Sequence, residues 1–176
     1  MNKIKFLATL LFALVVNAVV AQTTSLKWND STVTFLGSKI GATVVLGKNN
    51  KPALQSTFYY GFDKAAKMHV FHLVKTDIST PDMKYYLIYK YLVPATAVNT
   101  SNLKVEKVDN IAVEGGFYAY VSLKCKDDVE CFTFYEKGSH YDDFGNESKT
   151  DEFTIEASVA EMPALEKLIQ QIKNNH

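Results

Sequence analysis

Between residues 84 and 93 the chain is apolar or aromatic on both sides of a two-residue period. Tyr85, Leu87, Tyr89 and Tyr91 share one face, while Tyr86, Ile88 and Leu92 share the other. Such a strand cannot lie on a surface, because both of its faces need a cover. It calls for a sheet with material on each side, or for the wall of a barrel. Pro94 closes it, having no amide to offer a ladder. Shorter runs rich in Val, Thr and aromatic residues repeat the signal, and the chain has 10 Tyr and 11 Phe to supply them.

The other strand candidates follow from the same code. Residues 26–28 begin one, after a polar and loose 22–25. Residues 33–36 and 40–46 read as a hairpin bent at Gly37-Ser38, and 47–52 as a loop. Residues 55–62 and 68–74 read as two strands around 63–67, although Ala65, Ala66 and Lys67 would also suit a helix. Residues 103–108 alternate with charge and read as half-exposed. Gly115-Gly116 leads into 117–125, where Phe117, Ala119, Val121 and Leu123 line up. Residues 130–136 are expected to return antiparallel, 139–151 to form an acidic loop, and 153–157 to make the last strand.

The tail obeys a different period. Leu165, Leu168, Ile169 and Ile172 recur at helical spacing with Met162 one turn earlier, and Pro163 suits a first turn. A helix over about 160–174 is predicted, docking its single apolar stripe on the sheet or in a barrel end. Its polar face, Glu166, Lys167, Gln170, Gln171 and Lys173, is not uniformly basic, which argues against a membrane-surface helix.

The first 21 residues read as a cleaved export signal of bacterial type. Lys3 and Lys5 precede an apolar run, and Val19 and Ala21 stand three and one places before polar Gln22. The run is interrupted by Asn17 and falls short of the roughly 20 apolar residues of a spanning helix, so no stable membrane anchor is expected after cleavage. Export to a periplasmic or extracellular compartment is therefore predicted, with residues 22–176 forming one domain. That domain carries slightly more acids than bases, and all 19 basic residues of the chain are Lys. Without arginine's planar fork, nucleic-acid recognition is not expected.

Cys125 and Cys131 are the chain's two cysteines. In an oxidising compartment they should form a disulfide, cross-strand in a hairpin that sets Lys126 opposite Glu130. Their spacing suits neither a C-x-x-C redox centre nor a metal site lacking two further ligands. Ser101-Asn102-Leu103-Lys104 and Asp143-Phe144-Gly145 mimic catalytic motifs whose other parts are missing. His69 and His72 point to opposite faces if they lie on a strand, which rules out joint ligation and predicts one exposed and one packed ring. His140 sits among the carboxylates of residues 139–152, which leaves open a calcium loop or an unrecognised hydrolytic site. No cofactor is implied.

Tyr59, Tyr85, Tyr89, Tyr91, Tyr118 and Tyr120 are the best candidates for ligand recognition, as amphipathic rings able to stack on sugars or peptides. The same rings would also serve to wall a small barrel. Seven strand candidates from Gln55 followed by one amphipathic helix resemble the pleckstrin-homology-like barrel, a bent antiparallel sheet capped by a C-terminal helix. The stretch from Tyr91-Leu92-Val93-Pro94 to Asn102-Leu103-Lys104-Val105 fits that order, as does Phe153-Thr154-Ile155 leading into Leu165 and Leu168. On this resemblance residues 26–46 would lie outside the barrel, and no basic phosphoinositide loop is present. A lipocalin-like barrel is the second resemblance, carried by Trp28 near the mature start and a late helix, although Leu26-Lys27 replaces the family's G-x-W. The fold class expected is mainly β: an antiparallel barrel or strongly bent sheet with a C-terminal helix. Function is expected to be non-enzymatic binding of a protein, peptide or cell-surface partner. The alternatives are a carrier of a small apolar ligand and a small hydrolase near His140.

Overall fold

The computed structural model describes residues 23–28, 31–80, 86–138 and 143–176. The export segment, Tyr85 and His140 lie outside these residues. The protein is mainly β, with eleven strands in three antiparallel sheets and a C-terminal helix among the described residues. β1 (Thr23–Trp28) and β2 (Ser31–Leu36) form a two-stranded sheet of their own. β3 (Ser38–Leu46), β4 (Pro52–Asp63), β5 (Met68–Asp77) and β6 (Tyr86–Pro94) run as a meander. β7 (Glu106–Asp109) and β8 (Phe117–Lys124) pair in a separate sheet. The chain then returns through β9 (Phe132–Gly138) and β10 (Ser148–Thr150) to the free side of β6. β11 (Glu152–Ala157) pairs with β8, and α1 (Met162–Asn174) ends the chain. The two large sheets are thus ordered β10-β9-β6-β5-β4-β3 and β11-β8-β7.

These two sheets and the helix enclose one core. β8 sends Ala119, Val121 and Leu123 inward, β11 sends Phe153, Ile155 and Ala157, and the meander contributes Phe58, Tyr60, Phe71 and Val93. The predicted stripe of Leu165, Leu168, Ile169 and Ile172 is fully or almost fully buried against them. The helix is anchored at its start. Ser158 and Glu161 form a capping box on the 3₁₀ turn that leads into it. Glu161 Oε2 also accepts the Ala42 amide of β3 at 2.8 Å, while Oε1 pairs with Lys39 at 3.0 Å. Although burial opposes ionisation, these donors hold the Glu161 carboxyl below its usual range.

Among the described residues no closed barrel forms. The sheets are stitched together by separate contacts along β3. The Ser158 amide donates to the Ala42 carbonyl at 2.7 Å, and a side chain at Gly41 would collide with Ala157. Further along, Leu46 donates to the Ala112 carbonyl and Glu114 donates to that of Val44. On the far side, the Cys125 amide reaches the Asp151 carbonyl at 2.8 Å. The expected continuous wall is therefore two sheets packed around a core.

Two expected hairpins are also absent. β2 pairs with β1, and β3 pairs with β4, so Gly37 marks a corner between sheets. Its φ of +138° is a glycine conformation, and an added Cβ would stand 2.9 Å from the Tyr60 carbonyl. Residues 26–46 are consequently not an appendage: β3 belongs to the large sheet and β1–β2 covers its outer face. Likewise β9 does not return on β8. It joins β6, with Phe134 opposite Tyr91, while β8 lies between β7 and β11. Period-2 alternation marks a strand without naming its neighbour, so chain order misassigned both pairs. Residues 64–67 form a turn, as the strand reading requires, and strand starts only at Glu106 in the 103–108 segment.

β6 is covered on both faces, as its sequence demanded. Tyr91 and Val93 belong to the inter-sheet core. Tyr86 and Ile88 join Val74 beneath Phe35 of β2, with Leu26 and Val33 beside them.

Candidate functional site

The six candidate tyrosines separate by what covers them. Tyr91 is packed, its ring stacked on Phe153 at 4.1 Å and on Phe134 at 5.3 Å. Tyr89 lines the same core beneath the Lys75 ammonium, 5.4 Å from the ring centre. Tyr59 lies edge-on to Phe35 at 5.1 Å under the N-terminal hairpin. Burial raises the phenol pKa of Tyr59 and Tyr91, as expected for rings withdrawn from water. Tyr85 lies outside the described residues.

Tyr118 and Tyr120 differ. On β8 the inward positions are filled by Ala119, Val121 and Leu123, so the alternate positions face outward. Strand register places Val108 opposite Tyr118, and Glu106 and Glu156 on either side of Tyr120. Further along the face, Thr154 is opposite Ser122 and Glu152 opposite Lys124. The outcome is an open polar and aromatic face with a volume of about 590 Å³.

Its side chains are held in place by one another. The Tyr120 hydroxyl donates to Glu106 Oε2 at 2.9 Å, and Lys104 pairs with Oε1 at 3.0 Å. The two tyrosine rings lie 6.2 Å apart at 49°. Ser122 donates to Glu152 and shares a hydroxyl contact with Thr154 at 3.2 Å, while Lys124 reaches Glu152 at 3.5 Å. Hydrogen bonds from Lys104 and Tyr120 lower the Glu106 pKa, and the same carboxylate raises that of Tyr120. Burial raises Glu156. This arrangement offers two rings for stacking and a set of ordered donors and acceptors around them.

The sequence flagged the two tyrosines, counted Glu152 with the acidic loop instead of with this face, and missed Glu106 and Glu156. Alternation on 152–156 does place Glu152 and Glu156 on the polar side of a strand. The place of Glu152 and Glu156 on this face depends on β11 crossing to β8 past two intervening strands, which the sequence does not announce.

His69 and His72 stand on β5 and point to opposite faces, but the expected exposed ring does not exist. They are 0% and 1% exposed. His69 shares a 3.0 Å hydrogen bond with the Tyr60 hydroxyl on the core side. His72 stacks on Phe35 at 4.2 Å on the other side. The second face is dry because β1–β2 covers it, a contact invisible from the alternation of β5 alone. Burial pulls the histidine pKa values down to about 4 for His69 and about 3 for His72.

Cys125 and Cys131 form the expected disulfide, with Cα atoms 5.7 Å apart. The hairpin context was wrong, however. The bond spans the crossover from β8 in one sheet to β9 in the other. Of the acidic loop, residues 139–142 lie outside the described residues. Glu147 accepts from the Tyr135 hydroxyl at 3.0 Å. Among the described residues no three His, Cys, Asp or Glu side chains converge as a metal site, and no helix is long and apolar enough to cross a membrane. No family model matches the chain, no curated protein is similar to it, and no solved structure matches its fold.

Proposed function

We propose that this protein is an exported, non-enzymatic binding module that recognises a protein, peptide or cell-surface partner through the outer face of β7, β8 and β11. One observation carries the reading. Tyr118 and Tyr120 are set side by side on a face that is open among the described residues, with Tyr120 fixed by Glu106. Rigid tyrosines ringed by adaptable polar groups suit recognition at low entropic cost. The disulfide agrees with an oxidising compartment.

The carrier alternative needs room between the sheets. That space is filled by Phe71, Phe132, Leu123, Ile155 and Leu168, each at most 1% exposed. Catalysis through His69 or His72 is poorly served by rings closed to substrate.

A pleckstrin-homology-like architecture is part of the same proposal. It counts β3 to β6 as the first sheet, β7, β8 and β11 as the second, and α1 as the cap. β9 and β10 then become an insertion on the free side of β6.

The test compares wild type with the Tyr118→Ala/Tyr120→Ala double variant for binding to cell-envelope preparations of the source organism. Loss of a central aromatic pair typically costs 2 kcal/mol or more. A loss of binding of about thirtyfold or greater is therefore expected, with the melting temperature preserved. Equal binding by the two proteins would remove this face from consideration.

A further inference from the structure

The face of β7, β8 and β11 carries three glutamates and two lysines among its described residues, and both lysines are already engaged. Lys104 pairs with Glu106 at 3.0 Å and Lys124 with Glu152 at 3.5 Å. Glu106 also accepts from the Tyr120 hydroxyl, and Glu152 from Ser122, which shares a further contact with Thr154. The other lining residues, Asn102 and Val108, are uncharged. Glu156 is the exception. Among the described residues no ion pair or hydrogen bond reaches its carboxylate. Lys75 of β5 acts on it only as a charge at longer range, its ammonium standing over the Tyr89 ring at 5.4 Å.

This surplus carboxylate stands beside the rings. Strand register sets Glu156 directly opposite Tyr120, with Glu106 opposite on the other side and Tyr118 two residues along the same strand. Directly opposed side chains have Cβ atoms about 5 Å apart, so Glu156 borders the ring that Glu106 holds. It is half-buried and still opens onto the face. Withdrawing a carboxylate from water without a partner is unfavourable, and burial accordingly raises its pKa. A cation brought by a ligand would offset that cost and keep the carboxylate ionised. The faces of the two tyrosine rings attract cations as well.

Building on the reading of this face as a recognition surface, we propose that its partner is an arginine-bearing peptide segment of another protein, the guanidinium lying on the Tyr118–Tyr120 pair with its fork on the Glu156 carboxylate. Charge complementarity sets the sign. An anion would meet the surplus carboxylate, and a neutral sugar would leave it uncompensated. Shape then sets the group. A guanidinium is planar, stacks on aromatic faces and forks onto a carboxylate through two parallel hydrogen bonds, whereas an ammonium is a compact point charge. The chain contains no arginine, so a second copy of it cannot supply the group.

Three glycine-flanked pentapeptides with blocked ends test it, identical except for a central arginine, lysine or citrulline, the last an uncharged isostere of arginine. Each is titrated at low salt into the full mature protein while the Tyr118 and Tyr120 amide resonances are followed by NMR. The arginine peptide should shift them saturably and bind about tenfold tighter than the citrulline peptide, with lysine between the two. Glu156→Gln keeps the shape and removes the charge; it should bring arginine down to the citrulline affinity and leave citrulline unchanged. No saturable response to the arginine peptide, equal affinity for arginine and citrulline, lysine matching arginine, or unchanged arginine binding in folded Glu156→Gln would each overturn the proposal. The comparison of peptides on the wild type decides the matter if the variant fails to fold. Loss of envelope binding in Tyr118→Ala/Tyr120→Ala, together with no preference for the arginine peptide, would overturn this partner alone and leave the face to another ligand such as a glycan.

Discussion

Gly37 shows how far one backbone position directs this chain. It carries the strand line from the covering hairpin into the large sheet, at a φ of +138° and with Tyr60 pressed against its missing side chain. Gly37→Ala is expected to cost about 1–3 kcal/mol, since both the dihedral and the contact become strained. Urea unfolding of the variant measures it, and unchanged stability would mean that the corner is soft. The sequence made a turn at Gly37-Ser38 legible, but not its kind, because a hairpin reversal and a corner between sheets both favour glycine. Single side chains show the same boundary. Alternation told which tyrosines share a face, yet Tyr91 and Tyr120 are equivalent in sequence terms. What separates them is Phe153 lying on one and solvent on the other.

Among elements, α1 was the most legible and the strand pairs the least. A helix writes its own period and its own caps, so Leu165, Leu168, Ile169 and Ile172 identify the buried stripe without reference to any partner. A strand's neighbour is a long-range fact. β8 and β9 are adjacent in sequence and joined by a disulfide, yet they belong to different sheets. That bond is a clasp across the crossover, beside the Ala97 carbonyl and the Val98–Cys125 bridge. Replacing both residues, Cys125→Ala with Cys131→Ala, is expected to destabilise the protein by about 2 kcal/mol, the lower part of the usual range because the closed loop is short. Thermal unfolding of the variant against the oxidised wild type tests it. No difference would mean that the hydrogen bonds of residues 98 and 99 hold the crossover alone.

At the scale of the whole molecule, two buried histidines sit in two separate packing layers. His69 lies in the inter-sheet core and His72 lies under the hairpin. Both have folded-state pKa values below the ordinary 6.5, at about 4 and about 3. The unfolded chain therefore binds more protons than the native one in this window. Stability is complete above pH 6.5 and is lost as pH falls toward 4, by about 1.4 kcal/mol per pH unit for each histidine. Below pH 4 only His72 continues to contribute. Denaturant titrations at pH 7, 6, 5 and 4 should trace this slope, and His72→Phe should halve it. A flat profile would mean that one or both rings can be hydrated in the native state. The two-layered burial was only half visible in advance: the double-sided pattern of β6 demanded a second cover, but nothing in β6 named β1 and β2 as its source.

The stitching along β3 has a further consequence. Fibril growth starts where an unoccupied strand margin recruits a foreign segment. β3 is the longest outer strand of the two large sheets, and its outward groups at Ala42, Val44 and Leu46 are already taken by Ser158, Glu161, Glu114 and Ala112. The outer strands β7 and β10 are only four and three residues long. The carboxylate that caps the 3₁₀ turn before the tail helix thus also acts as a guard against templated self-assembly, protecting a β-rich chain through the turn that opens its last element.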